Sequence, residues 1–318
     1  MRIFVTGATG YIGCVVTEKA LAEGHDVYGL SRNEEGDARL KAQGATPVRG
    51  ELASLDVLRQ QSAQAEAVLH LAYIHDFTMD YEEVLRVDAA TVDALGQLLR
   101  GTGKPFVITS GTAFVEPDPE GGETAEDAPV AQTFVLQHRI RSERHALRLS
   151  EDGVRVSALR LPPYVYGRGG SYFAPMLMQM AAKAGESIYV DDGHLRTSDV
   201  HVDDAAELYL LAASKAKAGE VFNGTGSTRV TLRAMAETIG EALQVPVRSV
   251  SREEAEAIWG QFLTAFVQIE NRASNRKAVE QLGWQPKGVD MLTDIRSGSY
   301  REMAEKLRHT AKNAEYVG

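Results

Sequence analysis

The run Ile3-Phe4-Val5-Thr6-Gly7-Ala8-Thr9-Gly10-Tyr11-Ile12-Gly13 stands at the start of the chain, and most of the architecture follows from it. Its three apolar residues read as a buried strand. T-G-x-x-G-x-x-G comes next, and from Tyr11 to Glu23 the pattern is helical until Gly24 stops it. Strand, glycine loop and helix in that order is the context in which this motif binds a pyrophosphate. The first two glycines permit a tight turn and close approach of the backbone. The third lets the helix pack against the strand. The helix N-terminus then offers free N–H groups and a partial positive charge. Gly7, Thr9, Gly10, Tyr11, Ile12 and Gly13 are therefore expected to line a dinucleotide.

Outward from that run, short apolar segments alternate with helical ones. Strands are expected at His25 to Leu30, Thr46 to Arg49, Ala67 to Leu71, Phe106 to Ile108 and Val154 to Arg160. Long helices are expected at Met79 to Arg100 and Ala131 to Leu149. Such alternation implies parallel pairing and right-handed crossovers. The expected fold is α/β: a Rossmann-type doubly wound parallel sheet with a smaller C-terminal α+β lobe. After Leu161-Pro162-Pro163 the rhythm breaks, and Gly167-Arg168-Gly169-Gly170 reads as a loop. Asp203 to Ala213 looks helical, and Val221-Phe222-Asn223 reads as one more strand of the main sheet. Residues 1–162 and 201–223 are assigned to the dinucleotide domain, and 163–200 and 224–318 to the second lobe. Helices are also expected at Thr231 to Leu243 and from about Leu292 to Lys312.

The second strand ends in Leu30-Ser31-Arg32, with no acid at its tip to take a ribose 2′-hydroxyl. Ser31 can hydrogen-bond a 2′-phosphate and Arg32 can pair with it bidentately. This favours NADP, with NAD as the alternative. The 318 residues are 44% hydrophobic and 25% charged, with a formal net charge of -10. Acids interspersed among the basic residues argue against a nucleic-acid partner. The single cysteine, Cys14, excludes a disulfide within the chain and makes a Cys-based metal cluster untenable. It is expected to be a small buried packing residue, and no metal is expected. Arg2-Ile3-Phe4-Val5 does not fit a signal peptide, and no apolar run reaches the roughly 18 residues of a membrane span. The expected location is cytoplasmic.

Several further motifs accompany the first: Gly50-Glu51-Leu52, His70-Leu71-Ala72, Arg160-Leu161-Pro162-Pro163-Tyr164-Val165-Tyr166-Gly167 and His201-Val202-Asp203-Asp204. With these the chain resembles, over nearly its whole length, the extended branch of the short-chain dehydrogenase/reductase superfamily, the NAD-dependent epimerase/dehydratase type. The resemblance implies that Glu51 and Leu52 lie on the adenine side. It also implies that Leu71, Ala72, Tyr73 and Pro162 to Val165 line the cofactor.

Family chemistry rests on a Tyr-x-x-x-Lys pair with a Ser or Thr, and this sequence contains no Tyr-x-x-x-Lys. Registering the helix by Ser142-Glu143 puts Val135 at the tyrosine position and Arg139 at the lysine position. Gly111 falls at the serine position beside Thr112, and Asp88 stands where the family has Asn. The chain thus resembles the atypical members that lack the standard residues. Arg139 can still serve the nicotinamide ribose. The replacement proton donors considered are Tyr73, Thr112, His138, Tyr164 and Tyr166, with Tyr73 and Tyr164 best placed. Tyr164 and Arg168 repeat the missing spacing, though in a loop. Arg196 is a thin candidate for substrate phosphate, with a salt bridge to Asp199 or Asp203 as the alternative. The acidic run Glu116 to Asp127 reads as a mobile loop at the site mouth or a plain surface loop.

Three functions remain. The leading one is an NADP-dependent oxidoreductase acting on a small carbonyl or alcohol, with Tyr73, Tyr164 or Thr112 supplying the proton. The others are a sugar-nucleotide epimerase or dehydratase, and an NADP-binding sensor without turnover. The expected partners are a small-molecule substrate and, by analogy with the extended branch, a second copy docked through the two long helices.

Overall fold

The computed structural model describes residues 1–74, 79–131 and 137–315, without the side chains of 137–138 and 311–315. The chain begins β1 (Arg2–Thr6), α1 (Tyr11–Ala22), β2 (Asp26–Ser31), α2 (Glu34–Gln43), β3 (Thr46–Arg49), α3 (Leu55–Gln64) and β4 (Ala67–His70). It continues with α4 (Tyr81–Gly96), β5 (Pro105–Gly111), α5 (Gln137–Arg148), β6 (Arg155–Leu161), β7 (Tyr164–Tyr166), α6 (Phe173–Ala184), β8 (Ser187–Val190) and β9 (Arg196–His201). Then come α7 (Val202–Lys215), β10 (Glu220–Asn223), β11 (Ser227–Thr231), α8 (Leu232–Leu243), β12 (Val247–Val250), α9 (Arg252–Trp259) and α10 (Gln261–Val267). Last are α11 (Arg276–Leu282), α12 (Met291–Ser297) and α13 (Arg301–Glu315).

Seven strands form one parallel sheet in the order β10-β6-β5-β4-β1-β2-β3. The order reverses between β1 and β4, and ligands of such sheets bind at the carboxyl ends flanking that reversal. Thr6 and His70 are register partners there. Apolar residues on both faces bury the sheet: Ile3, Val5 and Leu69 pack on one side with α1 and α7, Phe4, Val68 and Phe106 on the other with α3 and α4. β10 joins the sheet beside β6, as its sequence suggested. The second region holds a three-stranded sheet, β11-β9-β7, and a parallel pair, β12-β8, each with its own buried cluster.

Two helices of the first half carry no clear apolar stripe and escaped the sequence reading. α2 buries only Gly36 and Leu40, and α3 only Leu58 and Ser62. The helix expected from Leu292 to Lys312 is instead two, α12 and α13, broken at Gly298–Tyr300. Asp294 causes the break: its carboxylate accepts from the Ser299 amide at 2.7 Å and the Ser299 hydroxyl at 2.8 Å. The acidic run lies mostly exposed and forms a strap, tied down at Thr124 and Glu126. Thr124 donates its amide to the Arg272 carbonyl at 2.7 Å, and Arg160 donates to the Glu126 carbonyl at 2.8 Å. The Glu126 carboxylate accepts from the Asn223 amide at 2.9 Å. Cys14 is only half-buried, and burial pushes its thiol pKa up, away from nucleophilic character.

Candidate functional site

The glycine loop lies at the point of reversal. Gly7 has φ +74°, and a Cβ there would stand 2.8 Å from the Ala72 amide nitrogen, so only glycine fits beside β4. A Cβ on Gly13 would collide with the Gly7 carbonyl, which fixes α1 against the loop. Gly10 is the N-cap of α1, and no side chain caps it; the first turn holds no acid. The opening amides of α1 are therefore available to an anion, with no side chain among the described residues capping the helix. α2 differs: Asn33 accepts from the Gly36 amide, and Glu34, Glu35 and Asp37 fill its first turn. Thr9 flanks the loop, Ile12 packs on the core, and Tyr11 donates from its hydroxyl to the Gly167 carbonyl at 2.8 Å. These residues fit a dinucleotide pyrophosphate.

At the end of β2, Ser31 is buried and donates to the Asn33 carbonyl at 3.0 Å. Arg32 is exposed, with no ion-pair partner among the described residues. The sequence reading missed Arg39. Seven positions after Arg32, it donates to the Thr9 carbonyl at 3.1 Å and pairs with Glu35. A seven-residue spacing between two arginines beyond a glycine-loop unit was the available signal. Glu51 is exposed, and Leu52 is partly buried with its carbonyl accepting from Thr91 at 2.9 Å.

Beyond β4, Leu71 and Ala72 donate their amides to Thr6, and Tyr73 follows. The Arg139 guanidinium carbon lies 3.5 Å from the centroid of the Tyr73 ring. Arg139 also reaches the Thr109 carbonyl at 3.4 Å. The Tyr73 hydroxyl stands 3.4 Å from that of Tyr81, a residue outside every motif read from the sequence. Burial, then the neighbouring Tyr73, pushes the Tyr81 pKa well above its ordinary value, so Tyr81 stays protonated and able to donate. Asp88 is buried, which works against its charge, yet His70, Ser142 and Arg139 hold its pKa below the usual carboxylate value. Glu143, the residue that set the helix register, is buried and bound bidentately by Arg160 at 2.6 and 2.9 Å.

Other candidates lie elsewhere or are committed. Thr112 is buried, donating to Asn271 at 2.8 Å while its carbonyl accepts from the same side chain at 3.0 Å. Tyr164 is buried, edge-on to Phe173 and tilted against Phe266, and burial alone raises its pKa. Tyr166 donates to the Val289 carbonyl at 2.6 Å. Arg168 does not pair with Tyr164; it grips Glu18 and Asp203, both bidentately. Asp203 is thus taken by Arg168 rather than by Arg196, whose amide donates to Glu270. Pro162 and Val165 are buried beside this segment. Val135 and the His138 side chain lie outside the described residues.

The family model described as NAD dependent epimerase/dehydratase matches residues 3–223. The chain belongs to that family. An uncharacterized protein of Schizosaccharomyces pombe is 39% identical over 94% of this chain and 100% of its own length. A 4-hydroxy-2-methyl-3-oxo-4-farnesyl-3,4-dihydroquinoline-1-oxide ketoreductase of Stigmatella aurantiaca is 27% identical over 89% of this chain and 87% of its own. Among solved structures, the UDP-glucose 4-epimerase of Thermotoga maritima shares the fold with TM-score 0.74 and 21% identity, covering 98% of this chain and 99% of that one. The relatives also include a UDP-glucose 4-epimerase of Streptomyces lividans, 25% identical over 91% of this chain and 93% of its own length.

Proposed function

We propose that this chain is an NADP-dependent oxidoreductase acting on a small carbonyl or alcohol, with Tyr73 as proton donor and Arg139 as its charge partner. The observation that carries the reading is the Arg139 guanidinium 3.5 Å over the Tyr73 ring. A bound nicotinamide dinucleotide supplies the hydride. Tyr73 gives the substrate oxygen its proton, and the cation on the ring face stabilises the negative charge left on the phenol. Tyr81 donates to the Tyr73 oxygen as that charge develops. Arg139 takes the position of the family lysine in the registered helix, and its planar guanidinium stacks on an aromatic face as an ammonium does not. Ser31, Arg32 and Arg39 form the end of the cleft suited to a 2′-phosphate. The ketoreductase relative supports carbonyl chemistry.

The test is NADPH oxidation against a panel of small ketones and aldehydes, with Tyr73→Phe and Arg139→Gln beside the parent. General acid help is worth roughly 10²–10⁴ in rate, and Tyr73→Phe should lose that much. Activity surviving Tyr73→Phe within two-fold rejects Tyr73 as donor. A second reading, epimerisation of a nucleotide sugar, is favoured by the epimerase among the relatives; turnover of UDP-glucose without net cofactor oxidation would select it. Tight NADPH binding with no turnover on either panel would make the chain a binding protein. Homodimerisation through α4 and α5 remains part of the proposal, read by sedimentation.

A further inference from the structure

Behind Arg139 lies a cavity of about 10 Å³, the room one water molecule needs. His70, Asp88, Thr109, Arg139 and Ser142 supply its polar lining, with apolar side chains around them. Two of its polar atoms, His70 Nε2 and Ser142 Oγ, are buried without a hydrogen-bond partner among the described residues. An unpartnered buried polar atom costs about 1–3 kcal/mol, and this small space contains two. His70 is 4% exposed and Asp88 6%.

The geometry supplies the missing partner. His70 Nε2 and Asp88 Oδ1 are 4.0 Å apart, too far for a direct hydrogen bond. A water oxygen about 2.8 Å from both would see them at roughly 90°, an ordinary angle for water. The tautomer agrees. Thr6 Oγ1 accepts the Ala72 amide at 3.3 Å and stands 2.6 Å from His70 Nδ1. A Thr6 hydroxyl that donates to Nδ1 leaves the imidazole hydrogen on Nε2, facing Asp88, which is the tautomer the water requires.

We propose that this cavity binds one ordered water, which accepts from His70 Nε2–H and donates to the Asp88 carboxylate and to Ser142 Oγ. The water completes a continuous path from the Ala72 amide through Thr6 and His70 to Asp88, whose charge faces Arg139. It is a positioning site: it fixes the anion that holds Arg139 over Tyr73, and it ties that cation to the first residue of the glycine motif. Only this last link rests on the proposed function; the water itself does not.

The test is a high-resolution crystal structure of the full chain together with the ¹⁵N shifts of His70. One water peak within hydrogen-bond reach of His70 Nε2, Asp88 and Ser142 Oγ is expected, with His70 as the Nε2–H tautomer. A dry cavity, a direct His70–Asp88 bond or the Nδ1–H tautomer overturns the proposal. In Ser142→Val, whose methyls fill the space, the peak should vanish and the Nε2 resonance should move; an unmoved resonance also overturns it. Should that variant fail to fold, the two readings on the parent protein still decide. Neither needs turnover, so a dry cavity leaves the oxidoreductase reading standing. Absent turnover, conversely, leaves the water site standing.

Discussion

Asp199 sits on β9 with 2% of its surface exposed, and its Oδ2 is without a hydrogen-bond partner among the described residues. Burial first, then repulsion from Asp290, pushes its pKa up to about 8, with Arg229 opposing. A folded-state pKa above the unfolded one means that folding favours the protonated acid. The contribution of this group is therefore full below about pH 4 and is lost as pH rises toward 8. Asp199→Asn, nearly the same shape and never charged, should raise the melting temperature at pH 8 to 9 and do little at pH 4. Between those limits the gain should grow by roughly 1.4 kcal/mol for every rise of one in pH. An equal effect at both ends would show that Asp199 is ionised or solvated in the fold. At this scale the sequence was legible where geometry is local, as in the glycines of the first loop. It was silent on Tyr81 and Asn271, whose roles depend on partners 8 and 159 positions away.

Among the elements, α1 and α2 start on the same side of the sheet yet carry opposite electrostatics. α1 is left open for an anion, while α2 neutralises its own terminus with Asn33 and three acids. What α2 offers instead is its side chains. Arg39 reaches Thr9 from it, and Arg32 stands just before it. Arg32→Ala and Arg39→Ala should each weaken NADPH binding about ten-fold, the low end of a charge-assisted contact. NADH binding should stay nearly unchanged, measured by fluorescence titration. Equal loss for both cofactors would remove the 2′-phosphate role. The strands that form the core were legible because both faces are buried and the runs are continuously apolar. α2 and α3 were not, because each buries two residues and period alone cannot mark so narrow a face. The break at Gly298 was equally hidden: the Asp294 carboxylate caps the Ser299 amide five residues on, a local side-chain competition with the helix that apolar period does not mark.

Across the whole molecule, the segment 167–170 is where the two regions are fastened together. Tyr11 and Arg168 bind it to α1, and the Tyr300 hydroxyl accepts from the Gly167 amide at 2.9 Å and donates to the Gly170 carbonyl at 2.6 Å. Tyr300 is itself wholly buried. Tyr300→Phe strands a buried amide and should cost about 1–3 kcal/mol of stability. For a chain of this length that is a fall of several degrees in melting temperature; no change would mean that the fastening lies elsewhere. β10 belongs to the seven-stranded sheet, beside β6. Among the described residues no helix is long and apolar enough to cross a membrane.

A sheet left open at two sides exposes a row of unsatisfied amides and carbonyls to any neighbouring chain, and this one guards both margins. At one, β3 is four residues long and contains Pro47, which has no amide to offer. At the other, the Asn223 amide is already held by Glu126, and its side chain is bonded to the Thr124 and Ser274 carbonyls. The acidic strap thus does the work of an extra strand without being one, and it keeps the sheet from recruiting a stranger's backbone at high concentration.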